Sequence, residues 1–296
     1  MIDITTIILF LVGLAVGSFS NVFLLRYNPE KDRFFSFSRT RGRSHCPHCK
    51  AKLRWFELVP LLSFIIQQGR CRSCKKLISW QYPLVELSGG LIFAGVPMVL
   101  HRFFFFWNPS WAGLFVLFSI LWIAVLMCLV LAFVVDVKYY IIPNSLNAVI
   151  FGLGALWVLI GDKVGTFTTL YGGSFLRQYK AILPSFSGVW ENHLLGMAVG
   201  ALFFFLIVLF SRGRAMGMGD VKLIGALGLL FGWPDIVFII ALSFIIGALY
   251  SLVLVAGRKK VMADRVPFGP FIVIATFCIF FAGAGLLGAY FGIIGV

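Results

Sequence analysis

Residues 112–135 read AGLFVLFSILWIAVLMCLVLAFVV, continue through Asp136-Val137-Lys138-Tyr139-Tyr140-Ile141-Ile142-Pro143-Asn144, and resume as SLNAVIFGLGALWVLI to residue 160. The first run is twenty-four residues without a charged side chain, and about 20 apolar residues suffice to cross a bilayer. Inside hydrocarbon every backbone N–H and C=O must be satisfied within the segment, so such a run forms a helix. The second run follows a hairpin of about five residues and returns through the same thickness. These residues therefore predict two antiparallel membrane spans with Asp136 at their junction.

The rest of the chain extends the pattern. Further apolar runs cover roughly 4–25, 84–101, 193–211, 221–233, 235–256 and 267–294. The sixth of the eight, 221–233, is short and interrupted by Gly225 and Gly228. With 60% hydrophobic residues and a mean hydropathy of +0.99, the 296-residue chain is too apolar for a soluble domain. The predicted fold is an all-α polytopic membrane protein of about eight transmembrane helices. No basic region precedes the first run, and Arg26 follows it, so that run is expected to stay as a span and not to act as a cleaved signal.

The formal charge of +14 reports topology. Of the 25 Lys and Arg residues, 21 fall in 26–83, at Lys138, in 212–222 and in 258–265, all on one side of the predicted spans. Only Arg102, Lys163, Arg177 and Lys180 fall on the other. The positive-inside rule then puts the basic segments in the cytoplasm and both termini outside. This distribution makes the lipid bilayer the partner and excludes nucleic acid binding. The chain divides into a first transmembrane helix (1–26), a charged cytoplasmic insert (27–83) and a transmembrane domain (84–296). An outer segment, 161–192, is polar and rich in turn residues, and no function is read from it. Phe103 to Trp107 fit an interfacial aromatic belt.

Within the insert, Cys46-Pro-His-Cys49 and Cys71-Arg-Ser-Cys74 form two C-x-x-C pairs separated by twenty-one residues. That spacing lets two knuckles converge on one tetrahedral Zn²⁺. An insert of under sixty residues has little apolar surface to bury, and a structural zinc supplies roughly 10–16 kcal/mol of apparent folding energy. Disulfides are the competing reading, disfavoured in a reducing compartment. Four thiolates close the coordination sphere, so the expected role is structural. His45 and His48 are close enough to replace a cysteine or to remain solvated. Cys128 and Cys278 lie in spans without partner spacing and read as packing.

Eleven residues are acidic. Asp3, Glu30, Asp32, Glu57, Asp162, Glu191, Asp235 and Asp264 read as loop or aqueous span-end positions, whereas Glu86, Asp136 and Asp220 do not. Asp220 stands in Met216-Gly217-Met218-Gly219-Asp220-Val221-Lys222 and falls at the same predicted membrane face as Asp136. A carboxylate near the bilayer core costs about 2.5–3.5 kcal/mol on insertion scales. Either residue alone is also explained by snorkelling to the interface beside Lys138 or Lys222. Two at one depth support another chemistry, in which one carboxylate activates water and the other protonates the carbonyl and the leaving amine. Gly217 and Gly219 remove side chains ahead of Asp220 and let backbone approach a bound peptide. Neither His101 nor His193 is predicted on that face, so no histidine-assisted nucleophile competes. Proton or ion transport through the aspartates is the alternative from another class, and no paired repeats support it.

In order along the chain, these motifs resemble the prepilin peptidase family, the leader peptidases and N-methyltransferases of type IV pilus and type II secretion systems. The resemblance rests on Gly13 to Val22, the two C-x-x-C pairs, Trp55 to Phe64, Gly69-Arg70-Cys71 and Ile78 to Leu87. It continues through Asp136 to Pro143, Gly217 to Leu223 and Val266-Pro267-Phe268-Gly269-Pro270. It implies that Asp136 and Asp220 are the catalytic pair, that the four cysteines bind zinc, and that the substrate is a prepilin or pseudopilin with a basic leader and an apolar helix. It also implies methylation of the new N-terminus from S-adenosylmethionine. A presenilin-like or preflagellin peptidase shares the GxGD element but not the four cysteines with Gly17-Ser18-Phe19. Asn144 departs from the aspartate common in relatives. No glycine-rich nucleotide motif is present, so the methyl-donor site is expected in the insert and adjoining spans, with Arg70 and Glu86 as candidate contributors.

Overall fold

The computed structural model describes residues 3–31, 34–35, 42–104, 112–164, 174–176, 188–257 and 266–294. Among them are nine α-helices: α1 (Ile4–Arg26), α2 (Leu62–Ile66), α3 (Gln81–Phe104), α4 (Ala112–Tyr139), α5 (Asn144–Val164), α6 (Val189–Phe210), α7 (Met218–Phe231), α8 (Asp235–Ala256) and α9 (Gly269–Ile294). All except α2 and α7 are long and apolar enough to cross a membrane, giving seven candidate spans. The expected sixth span is α7, only 14 residues long. Arg177, Lys180, the residues after 257 that carry Arg258 to Arg265, and most of the outer segment lie outside the described residues.

The chain forms two compact units, Met1–Val134 and Val135–Val296. In the first, α1 and α3 run antiparallel with backbones almost touching. A Cβ on Gly13 would meet the Gly89 carbonyl, and one on Gly17 would lie 2.7 Å from the Val85 oxygen. Lipid offers no hydrophobic drive for helices to associate, so such close packing of small residues supplies the attraction. One turn farther along, Asn21 Nδ2 donates to the Tyr82 carbonyl at 3.2 Å. The insert docks on the same helix pair, because the Leu61 amide donates to buried Glu86 Oε2 at 2.8 Å. Leu61 is the residue before α2 and holds a left-handed φ of 59°.

In the second unit, α4 ends where Tyr140 turns left-handed at φ 58°, and α5 begins after Pro143. Helices α6 and α7 form a second close antiparallel seam. A Cβ on Gly196 would lie 2.6 Å from the Gly228 carbonyl, and one on Gly200 would lie 3.1 Å from the Ile224 carbonyl. Continued along both helices, this register sets Asp220 opposite Phe204, whereas α6 runs six residues farther to Phe210. At 1.5 Å per residue, Asp220 is recessed by about 9 Å from the end of its neighbour. Every residue of α7 from Val221 to Phe231 except Lys222 is buried, so its apolar run packs on protein.

The opposite end of α7 stops at Gly232, φ 75°. There the His193 ring donates to the Leu229 carbonyl at 2.8 Å and Trp233 N donates to the Asn192 carbonyl at 3.1 Å. Asp235, expected at an aqueous span end, is instead fully buried. Its carboxylate accepts from the Ser174 hydroxyl and, at 2.8 Å, from Phe175 N. The Phe175 ring packs on Phe231 and Phe280 at 5.4 and 4.9 Å. The outer segment thus contributes Ser174 to Leu176 as a buried plug, which polarity alone did not reveal.

Candidate functional site

Asp136 lies one turn before the end of α4, and Asp220 lies in the first turn of α7. Both are buried. Ile142 links them, because a Cβ on Gly219, next to Asp220, would lie 3.3 Å from Ile142 Cβ, and one on Gly269 would meet both Ile142 and Asp136; two buried carboxylates at one hairpin cost more than two neutral residues would. Asp220 is partly committed to its own helix, since Oδ2 accepts from Gly217 N at 3.2 Å. This satisfies one of the free N–H groups of the helix start. Asp136 Oδ2 is buried without a hydrogen-bond partner.

The neighbouring lysines do not neutralise the pair. Lys222 Nζ donates to Asn144 Oδ1 at 2.6 Å, and Lys138 Nζ lies 5.8 Å from the centre of the Tyr139 ring. The reason is geometric, because residues two apart on a helix point to different sides. Asn144 therefore joins the start of α5 to α7, and the departure from aspartate falls on that link and not on either carboxylate. His193 is at the far end of α7, where its ring meets the Leu229 carbonyl, and so does not reach the aspartate pair.

Of the two glycines before Asp220, Gly219 packs the start of α7 against the hairpin, where a Cβ would lie 3.3 Å from Ile142 Cβ. Its carbonyl also accepts from Asn147 Nδ2 at 3.3 Å. Gly217 is open, with nothing nearer a Cβ than Asp220 Oδ2 at 3.7 Å. A third glycine was visible in the sequence only as part of a motif. A Cβ on Gly269, at the start of α9, would sit 2.5 Å from Asp136 Oδ2 and 3.1 Å from Ile142 Cδ1. Its missing side chain lets the start of α9 lie against the Asp136 carboxylate. Gly269→Ala is expected to leave the protein folded but to cut turnover about 10- to 100-fold, since displacement of a reacting group by an ångström has that order of effect. Comparable turnover of the variant and the parent would remove Gly269 from the site.

The four cysteines meet as predicted. Their Sγ atoms all lie within 4.8 Å of one another, and Cys46 Sγ and Cys74 Sγ are 4.0 Å apart. Tetrahedral Zn–S bonds of about 2.3 Å place sulfurs about 3.8 Å apart, so the cluster fits a metal ion. Each knuckle repeats one backbone pattern: Lys50 N donates to Cys46 O and Cys46 N to Ala51 O, while Lys75 N donates to Cys71 O and Cys71 N to Lys76 O. Lys50 and Lys75 both take left-handed φ values, 58° and 60°. Backbone N–H groups of Cys74 and then Ser73 pull the Cys71 thiol down to about 7, whereas Cys49, despite the Ala51 amide, is pushed up to about 11 by its sulfur neighbours, so four thiolates this close need a cation among them. Neither histidine joins the cluster: His45 is exposed with Nδ1 toward the Arg43 carbonyl at 3.3 Å, and His48 is exposed. Arg70 is exposed on the second knuckle, and Glu86 holds Leu61.

Two family models cover most of the chain. Residues 11–100 match the bacterial peptidase A24 N-terminal domain, and residues 123–252 match the type IV leader peptidase family. A prepilin leader peptidase/N-methyltransferase of Stutzerimonas stutzeri is 30% identical over 94% of this chain and 91% of its own length. The protein of that name from Vibrio cholerae is 31% identical over 92% and 94%, and one from Bacillus subtilis is 29% identical over 96% of each. No solved structure matches the chain. With both models matched in order and 31% identity sustained across nearly the full length of a relative, the chain belongs to the type IV leader peptidase family.

Proposed function

We propose that this protein cleaves the leader peptides of prepilins or pseudopilins at the cytoplasmic face of the inner membrane, with Asp136 and Asp220 as its catalytic pair. The observation that carries the reading is the unpartnered Asp136 oxygen, buried at the hairpin whose Ile142 packs on the start of Asp220's helix, in a chain whose two halves match the family. The pair shares one proton. One carboxylate takes a proton from water as its oxygen attacks the scissile carbonyl carbon, and the other donates a proton to the carbonyl oxygen. When the tetrahedral intermediate collapses, the C–N bond breaks and the leaving amine takes a proton. These roles belong to the pair and not to either residue separately. Gly217 keeps the approach to Asp220 clear of a side chain, while Gly219 lets the start of α7 pack on Ile142.

The relatives' names join this activity to N-methylation, and we extend both to this chain. S-adenosylmethionine supplies the methyl group for the new N-terminal amine. Arg70 keeps its guanidinium exposed for a contact with that cofactor, whereas Glu86 acts on the site through the fold of Leu61. The four cysteines hold Zn²⁺, which organises the two knuckles and takes no part in hydrolysis.

The test is full-length protein in lipid vesicles with one purified prepilin, with both products followed by mass spectrometry. Loss of the leader followed by addition of one methyl group to the new N-terminus is expected. An intact prepilin after prolonged incubation with folded, zinc-loaded protein would overturn the proposal. A separate expectation concerns sidedness. A reporter fused after residue 60 should behave as cytoplasmic and one fused within 165–185 as periplasmic, and the reverse pattern would contradict a cytoplasmic site.

A further inference from the structure

The insert reads in the sequence as a small soluble domain, yet its surface is not that of one. Trp55, Ile65, Ile66 and Trp80 are 79%, 69%, 71% and 70% exposed, and Leu58 and Leu62 are also exposed. Leu62, Ile65 and Ile66 stand at i, i+3 and i+4 of α2 and share one face. Soluble proteins rarely leave a contiguous apolar surface of this kind uncovered. On the spans, lipid covers such residues, but these six lie outside every span.

Two observations tie this surface to the helix pair. The Glu86–Leu61 hydrogen bond ties the residue preceding α2 to a point five residues inside α3, about 7.5 Å from the start of that helix. On the other side of the insert, Phe34 is buried against Phe23 and Tyr27 of the α1 end, with ring centroids 6.2 and 5.4 Å apart. Phe34 and Leu61 are thus held against the ends of α1 and α3 from which the insert emerges. Charge points the same way. Residues 42–80 carry eight Lys and Arg against the single acid Glu57, and Arg54, Arg72, Lys75 and Lys76 are exposed. Apolar and tryptophan side chains set among basic ones are the composition of a surface lying in an anionic headgroup layer.

We propose that the insert is a membrane-seated module, with Trp55, Leu62, Ile65, Ile66 and Trp80 immersed in the adjacent leaflet and the basic residues around them bound to anionic lipid headgroups. This depends on α1 and α3 crossing the membrane and is independent of the peptidase reading. The test places a photoreactive residue in the full-length, zinc-loaded protein as Ile66→p-benzoylphenylalanine. Trp55→p-benzoylphenylalanine guards against a local folding defect, and the same change at exposed Lys50 is the reference. The protein is reconstituted in vesicles of phosphatidylcholine with or without phosphatidylglycerol, irradiated, and its adducts identified by mass spectrometry. Acyl-chain adducts at residues 66 and 55 are expected to exceed those at residue 50 by about fivefold or more, and to persist when prepilin is added. Lys75→Gln with Lys76→Gln should reduce them about twofold or more, only when phosphatidylglycerol is present. Lipid adducts no more abundant than at residue 50 would overturn the proposal. So would replacement of lipid by prepilin adducts, which would make this surface a substrate-docking site, or indifference to the two lysine changes. Cleavage is not the readout, so an inactive protein can still pass and an active one can still fail.

Discussion

Asp136→Asn and Asp220→Asn are each expected to lower leader cleavage by about 10²–10⁴-fold, the usual contribution of a positioned acid or base. Both proteins should still insert and accumulate. Each substitution preserves side-chain volume and removes a buried ionisable group, so stability should be unchanged or higher. That combination separates a catalytic pair from a structural one. If the aspartates served packing alone, loss of the charge would leave processing intact, and normal cleavage by either variant removes the pair from the mechanism. The Asp220 variant should still methylate a pilin supplied without its leader, because the methyl-donor site is assigned to the insert. A folded Asp220 variant unable to do so would mean that the two reactions share these carboxylates.

The second large effect is expected from the metal cluster. Cys71→Ser with Cys74→Ser leaves two of the four converging sulfurs, and the protein should lose its single Zn²⁺ as measured by metal analysis. A structural zinc contributes about 10–16 kcal/mol to the folding of a small domain, so the insert is expected to unfold locally. Methyl transfer should fall below detection, while cleavage persists at a reduced rate, because Asp136, Asp220, Gly217 and Gly269 all belong to the second unit. Zinc loss that stopped cleavage and spared methylation would reverse this division of labour.

How much of this was legible beforehand follows from how local each feature is. The cysteine pairs and the aspartates announce themselves over a few residues, because metal geometry fixes a short spacing and a charge in an apolar run is conspicuous. The seven long helices are legible for the same reason, since the bilayer imposes their length. Gly269 was hidden because its importance is a distance to Asp136, far away in the chain. The choice of Lys222 for Asn144 instead of Asp220 needed the turn of α7. The likeness of the two knuckles escaped notice because it resides in backbone hydrogen bonds and left-handed lysines, while the intervening residues differ. Asp235 was misread because its partners, Ser174 and Phe175, come from a segment whose polarity suggested exposure.

Helix α7 is about 21 Å long at 14 residues, against a hydrocarbon layer of about 30 Å. Hydrolysis inside a membrane has to bring water to a place that lipid keeps dry, and many proteins would need a pore to do so. Where α6 continues past Asp220, α7 has already ended, and the Arg212–Gly217 turn and exposed Lys222 border the difference. Under the proposed function the missing turns of this one helix would serve instead, letting water and a polar leader approach the buried carboxylates while the apolar remainder of a substrate stays in lipid.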